Sequence, residues 1–392
     1  MSWEKVKLGD VSESCLGKML DQRKNKGTYK PYLANVNVRW GSFDLDNLQE
    51  MKFEDDEDER YGIKYGDLII CEGGEPGRCA IWKEELPNMK IQKALHRVRV
   101  NEEMDYRYVY YWFLLAGKQG ALKQYYTGAT IMHMPGQKLK EVVIDKPPLD
   151  VQRQIGHYLE SFDNLIDNNQ KQIKLLEEAT QRLYKEWFVN LHFPGHENVK
   201  IVDGVPEGWT KPSMNDIADY LNGYAFKPDD WNDKGKPIIK IKEMNEGIIP
   251  TTPRNDGRAI PEKYNVIAGD ILFSWSATLA AMIWDSEDGL LNQHLFKVTP
   301  NNGVCREYVL QSILKTLDEF KNLTTGSTMK HIQRGKLKEV FVNLPSQEIM
   351  DKFASIADVY REMVLRLQKQ NSALKEARDR LLPRLMNGEI EI

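Results

Sequence analysis

Side chains able to do acid–base, metal or phosphate chemistry occur in this chain, but not in the company that such chemistry needs. The seven histidines are scattered. His133 and His331 come nearest to a constellation, because each follows a Thr-Gly-x-Thr segment, yet neither has a nucleophile or metal partner in the pattern. Cys15, Cys71, Cys79 and Cys305 show no Cys-x-x-Cys spacing and no neighbouring histidine. That argues against zinc and against a disulfide framework, and reads as reduced thiols. The run from Glu72 through Gly73, Gly74, Glu75, Pro76 and Gly77 to Arg78 lacks the Gly-Lys-Ser/Thr ending of a phosphate loop. Pro76 also removes a backbone donor, so the run reads as a turn. There is no His-Glu-x-x-His, no Gly-x-Ser-x-Gly, no methyltransferase cofactor loop and no carboxylate–lysine nuclease cluster. The sequence thus predicts no catalytic residue, no metal site and no cofactor bound by this chain.

What remains is binding chemistry. Arg, Lys, Asn and Gln can read base edges, whereas Ser, Thr and backbone amides hold phosphates. Loops of that composition supply candidates for DNA contact in both halves. In the first half they are Lys18, Gln22, Arg23, Lys24, Arg39, Trp40, Arg78, Lys93, Thr127, Thr130 and His133. In the second they are Asn222, Tyr224, Lys227, Lys240, Lys242, Ser274, Trp275, Ser276, Asn292, Gln293, His294, Thr325, Ser327, Thr328, Lys330 and His331. For each the plainer alternative is loop packing, and for Trp40 and Trp275 it is the core. The formal net charge of -4 lends no electrostatic support, since counterion release favours a basic surplus. The acidic run Glu54 to Glu59 reads as a solvated loop.

Comparing the chain with itself shows which elements position these loops. Trp3 to Asp10 aligns with Trp209 to Asp216, Gly66-Asp67-Leu68-Ile69 with Gly269-Asp270-Ile271-Leu272, and Tyr108-Val109 with Tyr308-Val309. Thr127-Gly128-Ala129-Thr130 aligns with Thr325-Gly326-Ser327-Thr328, and Lys138 to Val142 recurs letter for letter as Lys336 to Val340. The offset drifts only from 206 to 198 residues and the order is kept. Divergence concentrates around residues 12–65 and 72–95, as two readers of different targets would show. A duplicated domain with drifted loops is the alternative.

Each copy ends in a strand-like stretch and a proline, at Pro147-Pro148 and Pro345, and then turns helical. The inward positions of the second helix read Ile349, Phe353, Ile356, Tyr360, Met363, Leu367, Gln370, Leu374, Ala377, Leu381 and Leu385, a heptad seam. Those of the first read Val151, Ile155, Tyr158, Phe162, Leu165, Asn169, Gln172, Leu176, Ala179, Leu183 and Trp187. Asn169, Gln172 and Gln370 are polar interruptions of the kind that set register. Each helix is expected to run ~38 residues, or ~57 Å, with Pro383 ending or kinking the second near Leu382 and Asn387-Gly388 as its C-cap. Antiparallel pairing within the chain is favoured, and pairing between chains is the alternative. The expected layout is a recognition domain at 1–148, a spacer helix at 149–190 and a linker at 191–208. A second domain at 209–345 and a spacer helix with its tail at 346–392 complete it. The fold class is mixed α/β (α+β), as a pseudo-two-fold repeat of two globular domains separated by a coiled coil.

No apolar run at the N-terminus suits a signal peptide, and no segment reaches the ~18 apolar residues of a membrane span. The location expected is the cytoplasm.

In this order the motifs resemble the specificity subunits of Type I restriction–modification systems. The resemblance rests on Trp3-x-x-x-x-Leu8-Gly9-Asp10, the Gly-Asp segments at Gly66 and Gly269, Asn292-Gln293-His294, and Thr-Gly-x-Thr. It rests also on the run Pro147 to Ile155 and on the two long helices. The second copy departs at Met350, where the first has Gln152, and at Pro212, which interrupts its opening strand. The resemblance implies two target-recognition domains, each reading one half of a split DNA site, with the helices fixing the spacer. It implies two copies of a methyltransferase (modification) subunit as partners, which bind S-adenosylmethionine and methylate adenine, and restriction/motor subunits that join for cleavage. A structural adaptor that docks partner proteins through its coiled coil without reading DNA is the competing reading.

Overall fold

The computed structural model describes residues 3–21, 25–276, 278–322 and 334–390. It divides into two compact units, one formed by Met1–Asp167 with Asn371–Ile392 and the other by Asn168–Gln370. Each unit therefore contains one globular domain and a stretch of both long helices.

In unit 1 a four-stranded antiparallel sheet runs in the order Ser12–Leu16, Leu95–Val100, Leu68–Cys71, Cys79–Ile81. Unit 2 repeats that order with Ala218–Asn222, Leu295–Pro300, Ile271–Ser274 and Ala280–Ile283. The central strand is buried on both faces, which is why it is apolar without alternation. Leu68 and Ile70 face the helix Tyr106–Gln119, while Ile69 and Cys71 join Leu33, Trp82, Met89 and Ile91 on the other side. A second, mixed sheet supplies that other side, with Thr28–Leu33 antiparallel to Gln49–Phe53 and parallel to Lys90–Ile91. In unit 2, Ile271 and Phe273 face one core while Leu272 meets Trp284, Leu291 and Leu295 in another.

The repeated motifs prove to be joints of this frame. Gly66 and Gly269 adopt φ of +86° and +99°, the left-handed region open to glycine. The next residue closes the turn, since Asp67 accepts the N–H of Lys64 at 2.7 Å and Asp270 that of Ile267 at 2.9 Å. The repeated Tyr-Val places a fully buried tyrosine whose hydroxyl donates to the carbonyl of Asp145 (Tyr108, 2.9 Å) or of Asn343 (Tyr308, 2.6 Å). That bond ties each packing helix to the segment leading into its long helix. The opening strand Glu4–Lys7 pairs with Val143–Lys146. In unit 2 only the bridges Thr210–Leu344 and Ser213–Phe341 remain, because Pro212 between them has no N–H to give.

The long helices span Leu149–Tyr184, with a π turn at Lys185–Val189, and Gln347–Met386. Within unit 2 they run antiparallel. Trp187 lies 6.1 Å from Phe353 between ring centroids, and further along Glu177 lies beside Arg361. The expected seam needs correction. Ile155, Ile349 and Phe353 are buried, and Val151, Phe162, Leu176, Leu183, Tyr360, Leu367, Leu374 and Leu381 are half-buried. Tyr158, Leu165, Met363, Gln172 and Gln370 are exposed, and the buried positions are Leu159, Ile166, Ala357, Val364 and Asn371 instead. A 3.5-residue repeat slips against a 3.6-residue helix, so a seam counted over many turns lands one position off in places. Asn169 is buried as expected.

Nor does the second helix stop at Pro383. It continues to Met386, and Gly388 at φ +68° follows its end. The last turn is held by burial of Leu382, Leu385 and Met386 in the core of unit 1, among Ile155, Leu159 and Tyr111. That core is thus completed by residues some 230 positions beyond its own domain, Leu385 against Ile155. Replacing Leu385 by Ala should cost about 2–5 kcal/mol. Hydrogen exchange should then accelerate in strand Leu68–Cys71 and not in strand Ile271–Ser274; equal acceleration in both would assign Leu385 to neither core in particular.

Candidate nucleic-acid interface

In unit 1 the loops that carry the candidate residues converge on the turn Glu72–Arg78. Arg78 donates to Glu75 at 3.0 Å and to the carbonyl of Asn35 at 2.9 Å, which fastens the loop bearing Arg39 and Trp40. The indole N–H of Trp40 donates to Glu75 at 2.8 Å, and its ring packs on Gly117, where a Cβ would come within 2.7 Å of it. The N–H of Glu72 donates to the carbonyl of Ala94 at 2.8 Å, which brings Lys93 alongside. Thr127 and His133 exchange backbone hydrogen bonds at 2.8 and 2.9 Å, and His133 bridges to Gly73. Arg39, Lys93, Thr127, Thr130 and His133 are exposed, whereas Trp40 is partly buried and Arg78 mostly so. Arg39 leans on Asp44 at 3.5 Å.

Lys18 points inward, against its place among the candidate contacts. It is 4% exposed, with Nζ 2.5 Å from Glu57, 2.9 Å from the carbonyl of Lys52 and 5.1 Å above the ring of Phe53. The glycine before it explains the burial: a Cβ at Gly17 would sit 2.5 Å from the backbone of Gln92, so the chain is pressed against the second sheet there. Gln22, Arg23 and Lys24 lie outside the described residues.

Unit 2 gathers a different set at the equivalent place. The indole N–H of Trp275 donates to Asn222 at 3.1 Å, its ring centroid lies 5.9 Å from that of His294, and Ser276 Oγ meets His294 Nδ1 at 3.4 Å. Tyr224 bridges to Asn292, and its carbonyl accepts the N–H of Gln293 at 2.9 Å. Gly223 repeats the close approach of Gly17, with Asn292 only 2.1 Å from where a Cβ would be. Of these residues Asn222 and His294 are exposed, and Gln293, Tyr224 and Trp275 are partly so. Ser274, Ser276 and Asn292 need correction as contacts. Ser274 is fully buried and donates to the carbonyls of Ser276 and Thr278, Ser276 is 7% exposed, and Asn292 is 6% exposed. They build the loops rather than face outward. Lys227 and Lys242 are exposed, and Lys242 is 4.0 Å from Glu246 on its own short helix. Thr325, Ser327, Thr328, Lys330 and His331 lie outside the described residues.

Composition alone missed two features. Trp231, 48% exposed, lies beneath Lys240 Nζ at 5.2 Å, a flat, cation-capped surface in a loop where the halves have no common pattern. Ile131 and Met132, inside the Thr-Gly-x-Thr loop, are also exposed, and a search for polar readers passes over them. Among the described residues no group of three or more His, Cys, Asp or Glu could hold a metal ion, and no helix is long and apolar enough to cross a membrane.

Known proteins share this arrangement. A family model for the Type I restriction modification DNA specificity domain matches residues 1–178 and again 206–376. The specificity subunit of the Type I restriction enzyme MjaIX from Methanocaldococcus jannaschii is 26% identical over 345 residues, 83% of this chain and 78% of the relative. The MjaVIII specificity subunit from the same organism is 22% identical over 412 residues, covering 100% and 93%. The crystal structure of a Type-I restriction-modification system S subunit from M. genitalium shares the fold, with a TM-score of 0.57 at 16% identity over 98% of this chain and 96% of that one. A duplicated frame with divergent loops on each copy defines a two-domain specificity protein. The chain belongs to the family of Type I restriction–modification DNA specificity subunits. Membership makes it a non-catalytic subunit that confers DNA sequence specificity on its system.

Two residues under these loops give separate tests. Lys18→Met leaves Glu57 without its partner and should lower stability by about 3 kcal/mol. DNA sequence choice should be unchanged wherever the variant is folded, and altered choice would return Lys18 to the readers. His96 is buried, its Nε2 is 3.0 Å from the carbonyl of Met134 at the foot of the Thr127–His133 loop, and burial holds its pKa below the usual imidazole value. Above about pH 6.5 folded and unfolded rings are both neutral, and the shift has no effect. Below it the unfolded chain takes up a proton that the folded one resists, so stability falls as pH falls. His96→Gln keeps a donor for Met134 and should flatten that decline between about pH 6.5 and 5, measured as the denaturation midpoint at each pH.

Proposed function

We propose that the chain reads a bipartite DNA target, one half-site for each unit, and directs methylation and restriction by partner subunits to it. The observation that carries this reading is the pairing of a shared frame with unlike loop sets. Unit 1 exposes Arg39 and Lys93, with Trp40 partly exposed, whereas unit 2 exposes Asn222 and His294, with Trp275 and Gln293 partly exposed. Arg and Lys suit guanine edges and phosphates, while Asn, Gln and His offer both donors and acceptors, so the two units would select different bases. The long helices, 36 and 40 residues, correspond to ~54 and ~60 Å of helix. That length suits a spacer between half-sites about one helical turn of DNA apart.

Two methyltransferase subunits would bind S-adenosylmethionine and perform the adenine-N6 chemistry, with restriction/motor subunits joining for cleavage. The duplicated frame offers two equivalent docking places for the former. Partners would also supply much of the positive charge, which accommodates a net charge of -4 on a DNA-reading subunit. The setting is the cytoplasm, where these subunits and their DNA meet.

The test is methylation profiling of random-sequence DNA with the chain assembled with its modification subunits. Adenines should be methylated only within two short motifs separated by a fixed unspecified spacer. Exchanging Asn222, Gln293 and His294 for Ala should relax one motif and leave the other intact. Methylation without a two-part motif would favour the adaptor reading.

A further inference from the structure

The loop from Thr127 to His133 is exposed along its whole length, and its large side chains are apolar, Ile131 at 66% and Met132 at 44% exposure. Its foot is firmly fixed. Thr127 and His133 exchange both backbone hydrogen bonds, and Met134, fully buried, donates its N–H to the carbonyl of Glu72 at 2.7 Å. Its tip is a tight turn. Gly128 has φ +102°, and a Cβ there would lie 2.3 Å from the carbonyl of Ile131. The tip rises from the same turn that gathers Arg39, Arg78 and Lys93, and two carboxylates of those loops, Asp44 and Glu75, are each turned onto an arginine.

We infer that Ile131 and Met132 form an apolar wedge that enters the base stack at the half-site faced by unit 1, an inference that rests on the DNA-reading assignment above. Isoleucine and methionine are among the side chains that part a base step when surrounding polar contacts press them in. A protein groove would call for more. Stable protein interfaces bury about 800 Å² on each partner around several anchors, whereas two adjacent side chains on a narrow turn match the width of a single base step. The second copy keeps an apolar residue at the first of these positions, Met329 in place of Ile131, and has Lys330 in place of Met132.

The test uses the full chain assembled with its modification subunits, on duplexes carrying 2-aminopurine at successive positions of each half-site outside the methylated adenine. Wild type should raise the fluorescence several-fold at one step of the unit 1 half-site. Ile131→Ala/Met132→Ala should abolish that rise and slow methylation of the site by about tenfold, and Ile131→Leu/Met132→Leu should restore both. The substituted side chains are exposed, so an unchanged melting temperature is expected and checks that the fold is intact. A rise that persists in the double alanine variant, or no rise at any step while methylation stays confined to the bipartite site, overturns the wedge. Loss of the modification subunits from the alanine variant on gel filtration overturns it too, by making the tip a protein contact. Methylation with no selected site would instead remove the DNA-reading assignment, and the wedge with it.

Discussion

Each domain of this protein closes its core with the end of a long helix. Leu382, Leu385 and Met386 fill the core of the unit that begins at the N-terminus, and Tyr184, Trp187 and Phe188 fill the core that surrounds Phe353. Phe188 alone meets the rings of Tyr308, Phe353 and Trp209 at centroid distances of 5.0 to 5.9 Å. Burying side chains of this size is worth roughly 2–3 kcal/mol each, so the helix ends are integral to both domains. Each long helix therefore has one end packed into the core of each unit.

Apart from the Thr-Gly-x-Thr loop, the motifs that recur in both copies turn out to be frame, and the unlike segments carry the other candidate contacts. Gly66 and Gly269 start a strand, Tyr108 and Tyr308 lock a helix to the segment before the long helix, and Gly17 and Gly223 let the chain approach the backbone of Gln92 or Asn292. All of these fix backbone position, which is what a repeat preserves when its targets diverge. The residues set at the tips, Arg39 and Lys93 in one unit and Asn222 and His294 in the other, share no chemistry and need none.

This division explains what was legible in the sequence. The duplication, the long helices, the mixed α/β class and the approximate location of the reading loops all follow from patterns along the chain. Side-chain direction within a loop does not. Lys18, Ser274 and Asn292 have reader-like chemistry but point inward, because a close backbone approach or an inward-facing strand position turns them, and neither is visible as a residue type. Ile131, Met132 and Trp231 are exposed against their apolar character, so hydropathy places them inside. The seam of the helices was one position off at Tyr158, Leu165 and Met363, since burial there is decided by the domain surface each helix lies on as well as by the repeat.

Divergence also reaches into the frame, where it is coupled. At position 107 an arginine pairs with Asp105 at 2.7 Å and with Glu160 of the long helix at 3.5 Å. At the matching position 307 stands a glutamate, almost wholly buried, 2.5 Å from Arg361 of its own long-helix stretch. The charge on the packing helix has been reversed, and the helix beneath has changed with it. A buried charge separated from its partner is strongly destabilising, commonly by about 3–5 kcal/mol, so the packing helix of one unit cannot be laid on the long-helix stretch of the other without loss. The candidate loops can drift between copies, whereas each packing helix must keep the long-helix segment that matches its charge. The loop tips can then change while the pairing of packing helix to long helix stays fixed by these ion pairs.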